Sequence, residues 1–139
     1  MDAWKSVAIA AVILAACNET TGPPEAGLGP AVVAYEDEMQ VDLPASIAVG
    51  DTLVVRVTSW EGHGLAARKG ETRITVEGRT VTVAPFDEWG DGPRLSIVSP
   101  IEHRAEVTFA TPGSVTVVVA GLSWPTYERI ERRFAVEVQ

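Results

Sequence analysis

The stretch of sequence that decides the fold is Ala105-Glu106-Val107-Thr108-Phe109-Ala110-Thr111-Pro112-Gly113-Ser114-Val115-Thr116-Val117. Apolar and polar side chains alternate on both sides of its Pro-Gly pair. A period of two in a run rich in β-branched residues is typical of a half-buried β-strand, and Pro-Gly is typical of a turn. The stretch therefore predicts two strands joined by a tight corner. Phe109 and Val117 are expected in the core, facing each other across the corner, with Thr108 on the opposite face.

The same alternation recurs after residue 31, in the runs Leu53–Val57, Arg73–Val76, Thr80–Val83 and Phe134–Val138. A two-residue turn at Glu77-Gly78 predicts a hairpin in which Ile74 lies opposite Val81. No segment shows a convincing 3.6-residue period, so a fold with helices is not expected. The sequence predicts an all-β domain, an antiparallel β-sandwich of about seven strands.

Composition limits the classes of function. The chain has 139 residues, enough for one domain. Its net charge of −8 argues against a nucleic-acid partner, because binding phosphates requires clustered Lys and Arg. The same charge argues against docking on an anionic membrane surface. The single cysteine excludes an internal disulfide and a multi-cysteine zinc site.

The N-terminus has the pattern of an export signal. Ser6–Ala16 is an uncharged, mostly apolar run of 11 residues. A membrane-spanning helix needs roughly 20 residues, whereas a run of this length is typical of a secretory signal peptide. Residues 1–16 are therefore interpreted as a signal peptide. Its end, Leu14-Ala15-Ala16-Cys17, resembles the lipobox of bacterial lipoproteins, and the only cysteine of the chain stands at the required place.

The lipoprotein resemblance implies that Cys17 becomes the first residue and carries a diacylglyceryl group and an acyl chain such as palmitate. The membrane is then a partner through the lipid on Cys17, since two or more chains anchor a protein stably. The resemblance also implies a place in a bacterial cell envelope. The resemblance favours the outer membrane of a Gram-negative cell, because Asn18 rather than Asp follows the cysteine. Residues 17–31, rich in Pro and Gly, are expected to form a flexible tether, and residues 32–139 the folded domain.

Two stretches resemble bacterial immunoglobulin-like domains. The first, 43–55, contains a Val-Gly-Asp turn between an edge strand and a core strand. The second is the 105–117 stretch, in which Pro-Gly would connect strands of opposite sheets. The resemblance implies an immunoglobulin-like sandwich, a fold that serves as a spacer, an adhesion module or a partner-binding surface. The cysteine pair and tyrosine corner of antibody domains are missing.

Patterns typical of catalysis or metal binding are incomplete. Gly121-Leu122-Ser123-Trp124-Pro125 lacks the last glycine of a nucleophile elbow and lies in an all-β context. His63 and His103 are isolated from each other in sequence, and His103 is expected to be solvated or to cap a strand. The Asp87–Gly92 run matches part of a calcium loop but lacks its third and bidentate carboxylates. We therefore expect no enzymatic activity, no cofactor and no metal.

Two predicted loops, 60–64 and 87–91, combine aromatic rings, carboxylates, an imidazole and glycines. This mixture suits a polar ligand or a protein partner. The candidate contact residues in these loops are Trp60, His63, Asp87, Trp89 and Asp91. In the competing interpretation the tryptophans only seal one end of the core. The expected function is a lipid-anchored, non-enzymatic binding or structural module with a protein or glycan partner. The alternative is a ligand-binding domain that takes a metal or a carbohydrate at these loops.

Overall fold

The computed structural model describes residues 24–61, 66–90 and 99–139 of the chain. The expected signal peptide, Cys17, His63 and Asp91 lie outside these ranges, so their predictions stay predictions. Within the described ranges, no helix is long and apolar enough to cross a membrane.

The described residues form eleven strands and no helix. They are β1 (Gly27–Pro30), β2 (Val32–Tyr35), β3 (Glu38–Met39), β4 (Val41–Asp42), β5 (Ser46–Ile47), β6 (Thr52–Glu61), β7 (Ala66–Glu77), β8 (Thr80–Gly90), β9 (Ser99–Thr108), β10 (Gly113–Trp124) and β11 (Glu128–Val138). The prediction of an all-β fold is confirmed. The expected number of strands is too low, because the chain before β6 forms five short strands.

The strands form two sheets. In sheet A, β7 pairs with one edge of β8, and the other edge of β8 pairs first with β10 and further along with β1. β10 also pairs with β11 and β2, β11 with β5, and β2 with β3. Sheet B follows the order β4-β6-β9. Apolar side chains from both sheets contribute to one buried cluster, which is the arrangement of a β-sandwich.

The expectation of purely antiparallel pairing is wrong for sheet A. β8 and β10, β2 and β10, and β5 and β11 all pair in parallel. The physical reason for the β8–β10 pair is that β9 lies between them in sequence but belongs to sheet B. The chain therefore leaves sheet A after β8 and returns to it in the same direction, as a parallel pair requires.

The 105–117 stretch folds as its alternation predicts. β9 in sheet B and β10 in sheet A meet at the Pro112-Gly113 corner. Phe109 and Val117 are buried, with 6% and 0% of their surface exposed, whereas Thr108 is exposed. The prediction of which face lies inside is therefore confirmed.

Arg79 holds the Pro112-Gly113 corner in place from the β7–β8 turn. Its guanidinium donates hydrogen bonds to the carbonyl oxygens of Thr111, Gly113 and Ser114 at 3.0, 2.8 and 3.2 Å. It also lies 5.3 Å from the centre of the Phe109 ring. A charged donor satisfies several corner carbonyls at once, so the turn between β7 and β8 and the corner between the sheets stabilise each other.

The β7–β8 hairpin forms, but its predicted register is wrong. The two loop residues are Gly78 and Arg79, since Glu77 pairs with Thr80. Val81 therefore lies opposite Val76 instead of Ile74. The reason is that Gly78 has a φ of 60°, which suits the first central position of a type II′ hairpin turn.

The segment formed by β1 and β2 fills a fork in sheet A. β8 and β10 pair directly over Thr80–Val83 and Thr116–Val119. Further along, β8 pairs with β1 and β10 with β2. The chain reverses direction between these two short strands at Ala31, which is fully buried. The tether predicted to run through Ala31 must therefore end earlier, because Gly27–Pro30 already belong to the sheet.

Replacing Phe109 should reveal which face of the 105–109 run lies inside. We expect Phe109→Ala to lower the free energy of unfolding by about 3–5 kcal/mol, because it removes buried apolar surface and leaves a cavity. Thr108→Ala, on the exposed face, is the matched control and should cost less than about 0.5 kcal/mol. Urea titration of both variants measures the difference. Equal losses would contradict the assigned faces.

Candidate functional site

A cluster of polar side chains lies buried between the two sheets, near the end where β1 begins. Asp87 on β8 in sheet A is at its centre. Its Oδ2 accepts a hydrogen bond from the Ser59 hydroxyl at 2.6 Å, and its Oδ1 lies 2.7 Å from Nε2 of His103. Ser59, Asp87 and His103 each have 0% exposure. Since β6 and β9 belong to sheet B, these contacts join the two sheets through their interior.

Thr72 on β7 extends the cluster toward the edge of sheet A. Its hydroxyl lies 2.8 Å from Nδ1 of His103. With a neutral imidazole that carries its proton on Nε2, His103 donates to Asp87 and accepts from Thr72, so both ring nitrogens are satisfied. With an imidazolium, His103 donates to both neighbours. Either arrangement leaves no ring nitrogen of His103 without a partner.

The chemistry open to this cluster follows from its burial. The order hydroxyl, imidazole, carboxylate from Thr72 through His103 to Asp87 is that of a hydrolase triad. In such a triad the imidazole exchanges protons with the hydroxyl and with the substrate's leaving group, whereas the His103 ring is fully buried and both of its nitrogens are occupied by Asp87 and Thr72. A buried, fully hydrogen-bonded network instead ties its elements together and specifies one arrangement of the core. We therefore interpret the cluster as a cross-sheet tie.

Two expectations about this region are wrong. The sequence predicts Asp87 in an exposed loop as a ligand contact, but it lies in β8 with both carboxylate oxygens hydrogen-bonded inside the protein. It predicts that His103 is solvated or caps a strand, but His103 is buried in β9. Alternation along each strand could have placed both residues correctly. Asp87 is an even number of residues from the buried Val81 and Val83, and His103 is two residues from the buried Ala105, so each lies on the inward face of its strand.

Aromatic side chains gather at the same end of the sandwich, which we call the aromatic end. Their cluster is built on three buried residues, Val32, Trp89 and Leu122, against which pack Trp60, Ala67, Trp124 and Tyr127. Tyr35 joins it, because its ring stacks on that of Trp124 with centroids 4.5 Å apart and meets the Trp60 ring edge-on. The structure therefore brings Trp60 and Trp89, both candidate contact residues, into one cluster.

The two candidate tryptophans occupy different positions in this cluster. Trp89 lies in β8 with 4% exposure, and its Nε1–H donates to the carbonyl oxygen of Pro30 at 3.2 Å. It therefore seals the core, as the competing interpretation of the tryptophans states. Trp60, at the end of β6, is only half-buried. The sequence pattern does not mark Tyr35, Leu122 or Tyr127, because their roles depend on where β2 and the β10–β11 turn come together.

Two open clefts flank the aromatic end. One, of about 560 Å³, is lined by Gly27, Leu28, Ala67, Arg68, Glu88, Trp89 and Gly90. Leu28 is 48% exposed beside it, and Arg68 forms an ion pair with Glu88 at 3.0 Å. The other, of about 480 Å³, lies between the β2–β3 and β10–β11 turns and is lined in part by Trp124. Both clefts present apolar surface next to charged groups, the mixture that suits a polar ligand or a protein partner.

No group of three or more metal-ligating side chains comes together among residues 24–61, 66–90 and 99–139. Comparison of the chain with protein-family models, curated proteins and solved structures found no match. The site is therefore defined by its geometry alone.

Removal of the Asp87 carboxylate should be costly. Asp87→Ala leaves the Ser59 hydroxyl and the His103 ring buried with a missing partner, so we expect a loss of about 3–5 kcal/mol in the free energy of unfolding. Asp42→Ala is the matched control, because the Asp42 side chain is 78% exposed and meets Arg56 only at 3.6 Å. It should cost less than about 1 kcal/mol. Chemical denaturation compares the two, and similar losses would argue against a cross-sheet tie.

Proposed function

We propose that this protein is a lipid-anchored, non-enzymatic binding or structural module of a bacterial cell envelope. The observation that carries the proposal is the Leu14-Ala15-Ala16-Cys17 run, which follows an apolar signal-like segment and contains the only cysteine of the chain. A chain with one thiol, placed at the end of such a segment, has no internal disulfide to form. Lipid attachment is the chemistry that this position supports best.

The way the chain enters the sandwich supports the anchoring proposal. Residues 18–26 precede β1 and would span about 30 Å when extended, at roughly 3.3 Å per residue. β1 begins at Gly27 opposite Trp89, so the tether would join the domain at the aromatic end. The opposite end, with the Gly78-Arg79 turn and the Pro112-Gly113 corner, would then point away from the membrane.

We propose further that the sandwich is immunoglobulin-like. Two features support this. β5 pairs in parallel with β11 in sheet A, and the chain then passes through a turn at Gly50 into β6 of sheet B. The Pro112-Gly113 corner connects strands of opposite sheets in the later part of the chain. Domains of this class act as spacers and partner-binding surfaces, and fold alone does not choose among those roles.

The contact surface that we propose for a protein or glycan partner is the aromatic end. Its half-buried rings, Trp60 and Trp124, supply aromatic area of the kind that contact residues use, although the indole nitrogen of Trp60 is itself buried without a hydrogen-bond partner. In the alternative function, a ligand-binding domain for a metal or a carbohydrate, the carbohydrate is the better supported ligand. The stacked Tyr35 and Trp124 rings offer flat aromatic area, whereas Asp87 is already engaged inside the core.

Replacement of Cys17 tests the anchor. We expect Cys17→Ser to abolish the lipid-derived mass and to release or misprocess the protein, because serine has no thiol to accept the diacylglyceryl group. Ala16→Gly is the matched control, since it keeps a small residue before the cysteine and should leave anchoring intact. Membrane fractionation and mass spectrometry of the full-length protein report both effects. If Cys17→Ser kept the same mass increment and stayed in the membrane fraction, the anchoring proposal would fail.

A further inference from the structure

β7 is a long strand with one open edge. It pairs with β8 from Ala66 to Glu77 and with no other strand in the described part of the chain. Among the residues that the structure describes, its second edge therefore has backbone N–H and C=O groups without a strand partner. Such an edge is a template on which another chain can add a strand.

The open edge is apolar in one half and protected in the other. Ile74 and Val76 are 40% and 48% exposed, although Val83 and Val81 opposite them on β8 are fully buried. The apolar face of the hairpin thus extends to the edge without a cover. Toward the aromatic end the register shifts between Lys69 and Glu71. A bulge discourages edge pairing, so the open segment is 71–77.

The hairpin fixes which backbone groups point outward. Glu77 and Thr80 close a two-residue loop and so form a hydrogen-bonded pair. Hydrogen-bonded and non-hydrogen-bonded pairs alternate along an antiparallel ladder. Thr75 therefore directs its backbone groups toward β8, whereas Ile74 and Val76 direct theirs to the open edge.

Charge selects one register for a second copy of the same segment. In a two-fold antiparallel pair only the outward-pointing residues can exchange hydrogen bonds, so the axis passes through a residue and not between two. The axes that pair Ile74 or Val76 with a residue inside the open segment 71–77 are those on residues 73 to 76. An axis on Arg73 sets that residue opposite itself, and an axis on Val76 sets Arg73 opposite Arg79. An axis on Ile74 sets Glu71 opposite Glu77. Like charges directly opposite each other destabilise a sheet.

The remaining axis, on Thr75, is complementary throughout. It sets Arg73 opposite Glu77 on the outer face and Ile74 opposite Val76 on the inner face, each pair occurring twice. The two Ile74–Val76 pairs exchange the outward backbone hydrogen bonds. Opposite charges and paired β-branched residues are the cross-strand contacts that stabilise sheets.

We therefore propose that two copies of this chain form a dimer by pairing their β7 edges, antiparallel, about a two-fold axis at Thr75. The partner is a second copy, since the same short segment supplies both halves of every complementary pair. The contact joins the two A sheets into one continuous sheet and covers Ile74 and Val76. The inference uses no feature of the anchor, so it stands or falls independently of lipid attachment at Cys17.

Disulfide cross-linking between two copies tests the proposed register directly. Residues at Thr75 of the two copies would form a non-hydrogen-bonded pair with Cα atoms about 4.5 Å apart, within the span of about 4.4–6.8 Å that a disulfide bridges. In the full-length protein in detergent, Thr75→Cys should give a covalent dimer on mild oxidation with copper phenanthroline. Ala135→Cys is the matched control, because Ala135 is exposed but lies on β11, which pairs with β10 there. It should give no more dimer than the unchanged chain.

A charge exchange then tests the selected register. With Thr75→Cys present, Arg73→Glu should lower the yield of dimer several-fold, and adding Glu77→Arg should restore it. Thermal unfolding of each variant shows whether the domain remains folded. We expect it to remain folded, because Arg73, Thr75 and Glu77 are all exposed. The proposal is overturned if Thr75→Cys yields no more dimer than Ala135→Cys, if the double exchange gives no recovery, or if the cysteine cross-links to a different polypeptide instead.

Discussion

The structure depends on how the backbone groups in the fork between β8 and β10 are satisfied. These parallel strands bond directly over only part of their length and then diverge. Buried N–H and C=O groups left without partners would be costly. The chain at Ala31 supplies the partners, because its N–H donates to the Pro85 carbonyl at 3.0 Å and its carbonyl accepts from the Leu122 N–H at 2.9 Å. Gly121 permits this approach, since a Cβ there would lie 2.6 Å from Val33 Cγ2.

The same segment organises the aromatic end. The Pro30 carbonyl accepts the indole hydrogen bond of Trp89, and Val32 packs against Trp89 and Leu122. Tyr35 then stacks on Trp124. If the protein is anchored through Cys17 as we propose, the tether runs directly into the segment that completes sheet A. A pull on the anchor would then act first on β1, which pairs with β8, and next on the buried strand β2, and not on a loose terminus.

The sequence could predict what depends on neighbouring residues. Alternation in the 105–117 stretch predicted its strands, its corner and the burial of Phe109, because a period of two is a local property of the chain. Parallel pairing and the role of residues 27–31 depend on contacts between distant segments, which one sequence does not show. The sequence-based prediction for Asp87 and His103 is wrong because it rests on their polar side chains and not on their position in the alternation of each strand. The sequence places the tryptophans at one end of the core but does not place Tyr35 with them, since Tyr35 reaches the cluster through β2.

The central claim is that residues 27–35 are part of the cooperative core. Amide hydrogen exchange in the full-length protein tests it most directly, by comparing Ala31 and Leu122 with Val117 in the middle of β10. We predict that the amides of Ala31 and Leu122 exchange as slowly as that of Val117, within about tenfold, because all three open only when the sandwich unfolds. Rapid exchange at Ala31 and Leu122, with Val117 still protected, would contradict the account.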